Sequence, residues 1–376
     1  MQLKTKGKAA GIADHIVGRV TRDIHTSAEI LITADIPADV SDFQVILTTM
    51  PDNPGIDMSY VYAIPDLAYL SDGDIVVVNS DGVVNTLYRV NSHHNFLLVT
   101  ERCNSNCLMC SQPPKDKDDT AYFYDIHSQL IPLIPSDCPE LGITGGEPTL
   151  LGSRFFSLLE QLQTHLPETE IHCLTNGRSF AWPNVASRLG DLSYNRLMLG
   201  IPLYADYNEQ HDYIVQAKGA FDQTVQGLYN LEKNNVRVEL RIVLHQQTIP
   251  RLTRLAKYIY KNLPFVEHIA FMGLEYQGYT PHNINKLWID PVEYQEPLTE
   301  AMTYLADYGM NVSLYNSQLC TTPEILWKYT KRSISDWKNI YMDACEQCAV
   351  LDQCGGFFKS STNKYSEFIK PITAHI

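Results

Sequence analysis

No window of the 376-residue chain approaches 18 uninterrupted apolar residues, so nothing in it reads as a membrane-spanning helix. The N-terminal Met-Gln-Leu-Lys-Thr-Lys-Gly-Lys is basic but lacks the apolar stretch that a secretory signal needs. Basic charge is scarce too: 29 Lys and Arg stand against 43 Asp and Glu, a formal net charge of −14. That balance argues against a nucleic-acid binder relying on a broad basic face. There is no P-loop, no Gly-x-Gly-x-x-Gly fingerprint, no Ser, His and Asp nucleophile pattern, no internal repeat and no low-complexity tract. A cytoplasmic location is the default expectation. In a reducing compartment the nine cysteines read as metal ligands or free thiols rather than disulfides.

What is present is a dense thiol motif, Cys103-Asn-Ser-Asn-Cys107-Leu-Met-Cys110, directly after the apolar run Asn95-Phe-Leu-Leu-Val-Thr100. Three thiolates at this spacing, on a loop leaving a strand, can converge on one metal centre. Soft thiolates favour Fe–S clusters, zinc or Cu(I), and closed clusters and structural zinc want four ligands. A set of three leaves one iron of a cubane open, whereas a zinc knuckle or three unrelated thiols are the other readings of such a set.

The chain around the motif changes rhythm. Residues 1–94 read as mostly β, with strand-like runs at Ala28–Thr33, Asp42–Thr48 and Asp74–Val78, and a hairpin through Asn79-Ser-Asp-Gly82 into Val83–Arg89. From 95 onward strands and helices alternate. Strands are expected at 95–100, 141–144, 171–175, 196–202, 236–244 and 268–272, with helices near 151–165, 183–189, 221–234, 249–263 and 291–308. Such alternation means parallel βαβ units with right-handed crossovers. The expected fold is α/β: a partial (βα)6 TIM-like barrel over 95–309, a small β-rich N-terminal domain over 1–94, and a Cys-rich C-terminal region over 310–376.

In parallel α/β folds ligands bind where strands end. Three motifs fall there. The three-Cys loop follows the first strand, Thr144-Gly145-Gly146-Glu147-Pro148-Thr149 the second, and Thr175-Asn176-Gly177 the third. Arg241 lies within the fifth strand and shares its parity with Glu239, which leaves a ligand-facing cation and a salt-bridged pair both open.

The Cys-x3-Cys-x2-Cys loop resembles the signature of the radical S-adenosylmethionine (SAM) superfamily. That resemblance implies a [4Fe–4S] cluster on Cys103, Cys107 and Cys110, with SAM chelated on the open iron and reductively cleaved to a 5′-deoxyadenosyl radical. The residue before the third Cys is usually aromatic there and is Met109 here, large and apolar enough to shield a cluster. By the same resemblance Gly145, Gly146, Glu147 and Pro148 contact the methionyl amino group. Asn176 and Arg241 are candidates for other polar groups of SAM, and Met272 for backbone contact to adenine. His211-Asp212 with Gly219 resembles the loop after the fourth strand in relatives acting on peptides, with a plain surface loop as the alternative. A low-potential donor such as flavodoxin or ferredoxin is implied as well.

Near the C-terminus, Cys345-x2-Cys348-x5-Cys354, with Cys320 upstream, resembles part of the SPASM or twitch auxiliary-cluster domain. The full SPASM pattern would place a further Cys at 358, which is Phe358. Four thiolates suffice for one auxiliary [4Fe–4S] cluster, and equally for one zinc. Cys138 and Cys173 remain as buried free thiols, and His93 and His94 as loop residues. Together with Ser335-Asp-Trp-Lys-Asn339, the pattern looks like the His-Xaa-Ser system maturases (HxsC type). That family implies a peptide-modifying enzyme, encoded beside a second radical SAM protein and a precursor peptide with His-Xaa-Ser repeats; from the acidic balance and the lack of a long apolar run, neither nucleic acid nor membrane is expected as a partner. Radical SAM chemistry on RNA or a small molecule, and an inactive scaffold partner, are the other readings.

Overall fold

The computed structural model describes residues 2–332 and 340–373; the Ser335–Asn339 motif lies outside the described residues. The chain divides into two compact units. One comprises residues up to Val99, with Thr120–Gly142 and Ser153–Thr169; the other comprises Thr100–Asp119, Ile143–Gly152 and the chain from Glu170.

The first unit contains an eight-stranded sheet. Its spatial order is Lys4–Lys6, Val83–Tyr88, Ile75–Asn79, His15–Thr21, Ile30–Ile32, Val45–Leu47, Ser59–Tyr62, Lys8–Ala10. The two edge strands are neighbours in sequence, separated only by Gly7. A Cβ on Gly7 would lie 2.4 Å from the Tyr62 carbonyl oxygen, so only glycine lets the chain pass from one edge to the other. The hairpin expected at Asn79–Gly82 forms, with Gly82 at φ 81° and its amide donating to the Asn79 carbonyl at 2.9 Å. Alternate residues of the short central strands serve two cores. Ile30, Ile32, Val45 and Leu47 pack in one, and Leu31, Phe43, Ile46 and Tyr60 in the other. Strands buried on both faces explain why these runs carry no polar alternation. The strands at 4–6, 8–10, 15–21 and 59–62 gave no comparably apolar signal in the sequence.

A second sheet contains β1 (Asn95–Leu98), β2 (Glu140–Thr144), β3 (Glu170–Leu174), β4 (Leu197–Pro202), β5 (Arg237–Leu244), β6 (His268–Gly273) and β7 (Val312–Tyr315). Its spatial order is the chain order, β7-β6-β5-β4-β3-β2-β1, and β3 through β7 pair in parallel. The fold is mixed α/β with a barrel-like sheet whose two edge strands do not pair with each other. The sheet has one strand more than the six expected. β7 is only four residues long, and its Val-Ser-Leu-Tyr pattern is a weak signal in isolation.

The helices are α1 (Thr120–Leu130), α2 (Ser153–His165), α3 (Pro183–Asp191), α4 (Asn208–Val215), α5 (Ala220–Lys233), α6 (Leu252–Asn262), the single turn α7 (Ile284–Leu287) and α8 (Gln295–Asp307). On α6 the buried residues are Leu252, Leu255, Ala256 and Ile259, the i, i+3, i+4, i+7 stripe of a helix covering a sheet. In β5, Val238, Leu240, Ile242 and Leu244 are buried, while Glu239, Arg241 and Val243 share the opposite parity. That alternation puts the polar residues of β5 on one face. Among the described residues no helix is long and apolar enough to cross a membrane.

Candidate functional site

The three-Cys loop lies in the second unit and is fastened from several sides by that unit's own chain. Gly146 N donates to Thr100 O at 2.8 Å, and Glu147 N to Arg102 O at 2.7 Å. Gly145 and Gly146 are required here: a Cβ on Gly146 would lie 2.0 Å from Arg102 O, and one on Gly145 2.7 Å from Thr100 O. Asp119 receives the Thr100 hydroxyl at 2.5 Å and the Glu101 amide at 2.8 Å. Further on, Asn106 N and Leu108 N donate to Val215 O and Ile214 O, both at 3.0 Å, so the end of α4 backs the loop. The Asn283 side chain donates to Leu108 O at 2.9 Å, and Tyr279 N to Cys110 O at 2.8 Å.

Glu147 is fully buried, and both of its oxygens are engaged. Oε1 accepts from Thr149 N at 3.1 Å, the Thr149 hydroxyl at 2.7 Å and the Thr175 hydroxyl at 2.7 Å; Oε2 accepts from Asn176 N at 2.7 Å. It is the N-cap of the 3-10 turn Pro148–Leu151, with Pro148 at the first position, where its missing N–H costs nothing. The carboxylate therefore ties the end of β3 to the Gly-Gly loop. Asn176 also donates from its side chain to the Asn104 side chain at 2.6 Å, between the first two cysteines.

Burial, together with neighbouring anionic groups, pushes the thiols up: Cys103 to about 11, with Glu147 and Cys110 contributing, and Cys107 to about 12, with Cys110 and Cys103 contributing. Cys110 is raised by burial. The three sulfurs thus lie within each other's electrostatic reach. Behind them Leu108 and Met109 pack with Tyr204, Ile214, Val215 and Leu287, and Cys107 packs against this cluster. Met109 is 8% exposed within this apolar cluster. Tyr204 is flanked by His211 and His245, ring centroids 5.8 and 6.1 Å away. Burial depresses both histidines, to about 4 and about 3, so both are neutral near pH 7.

His211 and Asp212 lie on α4, with His211 buried, rather than on a surface loop. Asp212 accepts from Gly219 N at 2.5 Å and Phe221 N at 2.8 Å, capping the start of α5. Arg241 makes the ion pair that the parity of β5 allowed, Nη1 to Glu239 Oε1 at 2.9 Å, and its Nη2 donates to the Met272 sulfur at 3.2 Å. Glu239 also receives His268 at 2.7 Å and lies 3.4 Å from His172. Burial opposes ionisation of Glu239, but these partners hold its carboxyl well below the ordinary range. The pair is buried inside the sheet rather than solvated outside it. Gly200, between His172 and Arg241, provides the room: a Cβ there would come within 3.1 Å of both side chains. Arg178, Asp119 and Tyr204 were not singled out as functional from the sequence. Their partners are distant in the chain, and no short motif marks them.

In the C-terminal set, burial raises Cys320, with Cys354 and Cys345 adding to the shift, and Cys345, with Cys354 and Cys348 adding. The four thiols are thus close enough to influence one another. Cys138 and Cys173 are buried free thiols, and His93 and His94 lie outside helix and strand. Among the described residues no three or more His, Cys, Asp or Glu side chains form a group set to hold a single metal ion. A cubane offers a separate iron to each thiolate, so its ligands need not close on one point. Three half-buried thiols on a loop pinned by backbone hydrogen bonds fit such a group.

Residues 97–259 match the radical SAM superfamily model. The chain contains a radical SAM domain. That domain implies a [4Fe–4S] cluster and SAM. Curated relatives include Fe-coproporphyrin III synthase of Methanosarcina barkeri, 26% identical over 194 residues, covering 50% of this chain and 45% of that protein. GTP 3′,8-cyclase of Desulforamulus reducens is 25% identical over 190 residues, covering 48% and 56%. The chain thus spans about half the length of the curated relatives it matches. Among solved structures, Streptococcus suis SuiB bound to precursor peptide SuiA is similar at TM-score 0.46, with 13% identity, covering 59% of this chain and 48% of SuiB.

Proposed function

We propose that this protein is a radical SAM enzyme that modifies a ribosomally made precursor peptide. The observation that carries the enzymatic part is the pinned loop of Cys103, Cys107 and Cys110 inside a radical SAM domain. The peptide part is supported by the likeness of the whole sequence pattern to His-Xaa-Ser maturases and by the second cysteine set. When bound, the cluster and SAM supply reductive cleavage of the sulfonium and a hydrogen-abstracting radical. The chain's own residues do the rest. Cys103, Cys107 and Cys110 hold the cluster, and Leu108 and Met109 keep water from its inner side. Gly145 and Gly146 let the turn that would face the methionyl part of SAM close onto the cysteine loop, and Glu147 and Pro148 fix the shape of that turn. Asn176 presents an amide at the end of β3. Arg241, held by Glu239, offers a polar contact from β5, and Met272 at the end of β6 is the candidate for backbone contact to adenine. Cys320, Cys345, Cys348 and Cys354 hold one auxiliary [4Fe–4S] cluster. Just after Cys354 a cavity lined by Trp288, Tyr294, Phe357, Phe358 and Lys364 opens beside the ends of β5 and β6 and suits a peptide side chain.

The test is anaerobic. Reduced, reconstituted protein is expected to release 5′-deoxyadenosine from SAM, and a precursor peptide encoded beside it is expected to change mass. Absence of 5′-deoxyadenosine overturns the enzymatic reading. Cleavage with no peptide change favours a small-molecule substrate, the kind that the names of the two curated relatives describe.

A further inference from the structure

Arg178 opens the 3-10 turn Arg178–Ala181, and its guanidinium reaches back to the three-Cys loop. Nη1 donates to the backbone oxygen of Asn104 and, at 3.1 Å, to the Ser105 hydroxyl. Nε donates at 2.7 Å to Gln223 on α5. Every one of these acceptors is neutral. Among the described residues no carboxylate pairs with Arg178, and nothing takes its Nη2. In a chain of net charge −14, a half-buried cation left without an anion beside three thiols is unusual.

We propose that Arg178 is a positioning residue for the cluster: it fastens the Asn104–Ser105 turn and supplies the fixed positive charge that offsets the sulfur set, raising the potential at which the bound cluster accepts an electron. Charge and hydrogen bonding near the sulfurs are among the levers that set such potentials. A cation stabilises the more negative, reduced form, so its removal lowers the midpoint. The inference rests on the reading of the trio as a cluster site.

The experiment uses protein carrying Cys345→Ser and Cys348→Ser, so that one cluster is read, with Arg178→Gln and Arg178→Lys made in that background. Iron content and the midpoint from an EPR-monitored redox titration are measured. Arg178→Gln is expected to hold the same iron with a more negative midpoint, and Arg178→Lys to stay closer to the parent. An unchanged midpoint in Arg178→Gln, or an equal displacement in Arg178→Lys, overturns the charge role. Should Arg178→Gln lose its iron, Arg178→Lys decides alone: iron retained near the parent midpoint supports the proposal, and iron lost refutes it. A parent protein that binds no iron is a failure of the underlying cluster reading, visible before any variant is compared.

Discussion

Glu147 offers the sharpest structural prediction, because its carboxylate is fully buried and accepts four hydrogen bonds from Thr149, Thr175 and Asn176. In Glu147→Gln one oxygen becomes an NH2 group. Oε1 takes three donors and Oε2 one, so the amide keeps its oxygen at the first position and turns its NH2 toward Asn176 N. One charge-assisted bond is lost and two donors face each other in a buried place. A hydrogen bond to a charged group is worth about 1.5–3 kcal/mol, and an unsatisfied buried donor costs a comparable amount. The local opening free energy should fall by about 2 kcal/mol or more, which corresponds to exchange faster by roughly 30-fold or more in the affected amides. Hydrogen exchange read by mass spectrometry on peptides covering 145–152 and 172–180, in protein without SAM, measures this. If Glu147 serves only to face a ligand, protection in the SAM-free protein will be the same in both, and the assignment of a structural tie fails.

Other consequences are simpler. Asp212→Ala removes the acceptor for Gly219 N and Phe221 N and should cost about 1–2 kcal/mol of stability, measured by denaturant unfolding, with Asp212→Asn losing less. His127 is buried, hydrogen-bonded to Leu98 O at 2.7 Å, and pushed down to about 4 by burial. Because its folded value lies below the unfolded one, the unfolded chain binds more protons from about pH 6.5 down to about 4. Stability should therefore drop as pH falls through that window, by roughly 2.5 kcal/mol between pH 7 and pH 4.5 from this residue. His127→Gln should flatten the slope by that amount, and an unaltered slope would refute the assignment. Met109→Ala opens the cover behind the cysteines. It should cost about 2–5 kcal/mol and speed loss of iron in air, the latter followed by absorbance.

What the sequence disclosed depends on how local each signal is. The Cys103–Cys110 spacing, the Gly145–Pro148 turn and the Asn176-Gly177 turn are contiguous, and so are the apolar runs of β1 to β6. Each could be placed at a strand end by alternation alone. Partnerships across the chain could not. Arg178 binds Asn104 and Ser105 from more than seventy residues away, and nothing in either stretch names the other. The parity of Glu239 and Arg241 predicted that they share a face, but not that His172 and His268 join them across two other strands. Asp212 looked like a loop residue because capping depends on where α5 begins, and its N-cap Gly219 at φ 75° marks that start only once the backbone is known. β7 and the two edge strands joined at Gly7 are too short to carry a period, and tertiary pairing alone makes them strands.

The most direct test of the account is the metal content of protein in which Cys320, Cys345, Cys348 and Cys354 are all replaced by Ser, reconstituted without oxygen and titrated with SAM. The account predicts about four irons with matching sulfide per chain and an EPR signal of the reduced cluster that changes when SAM is added. Zinc in place of iron, or an iron signal indifferent to SAM, would contradict it.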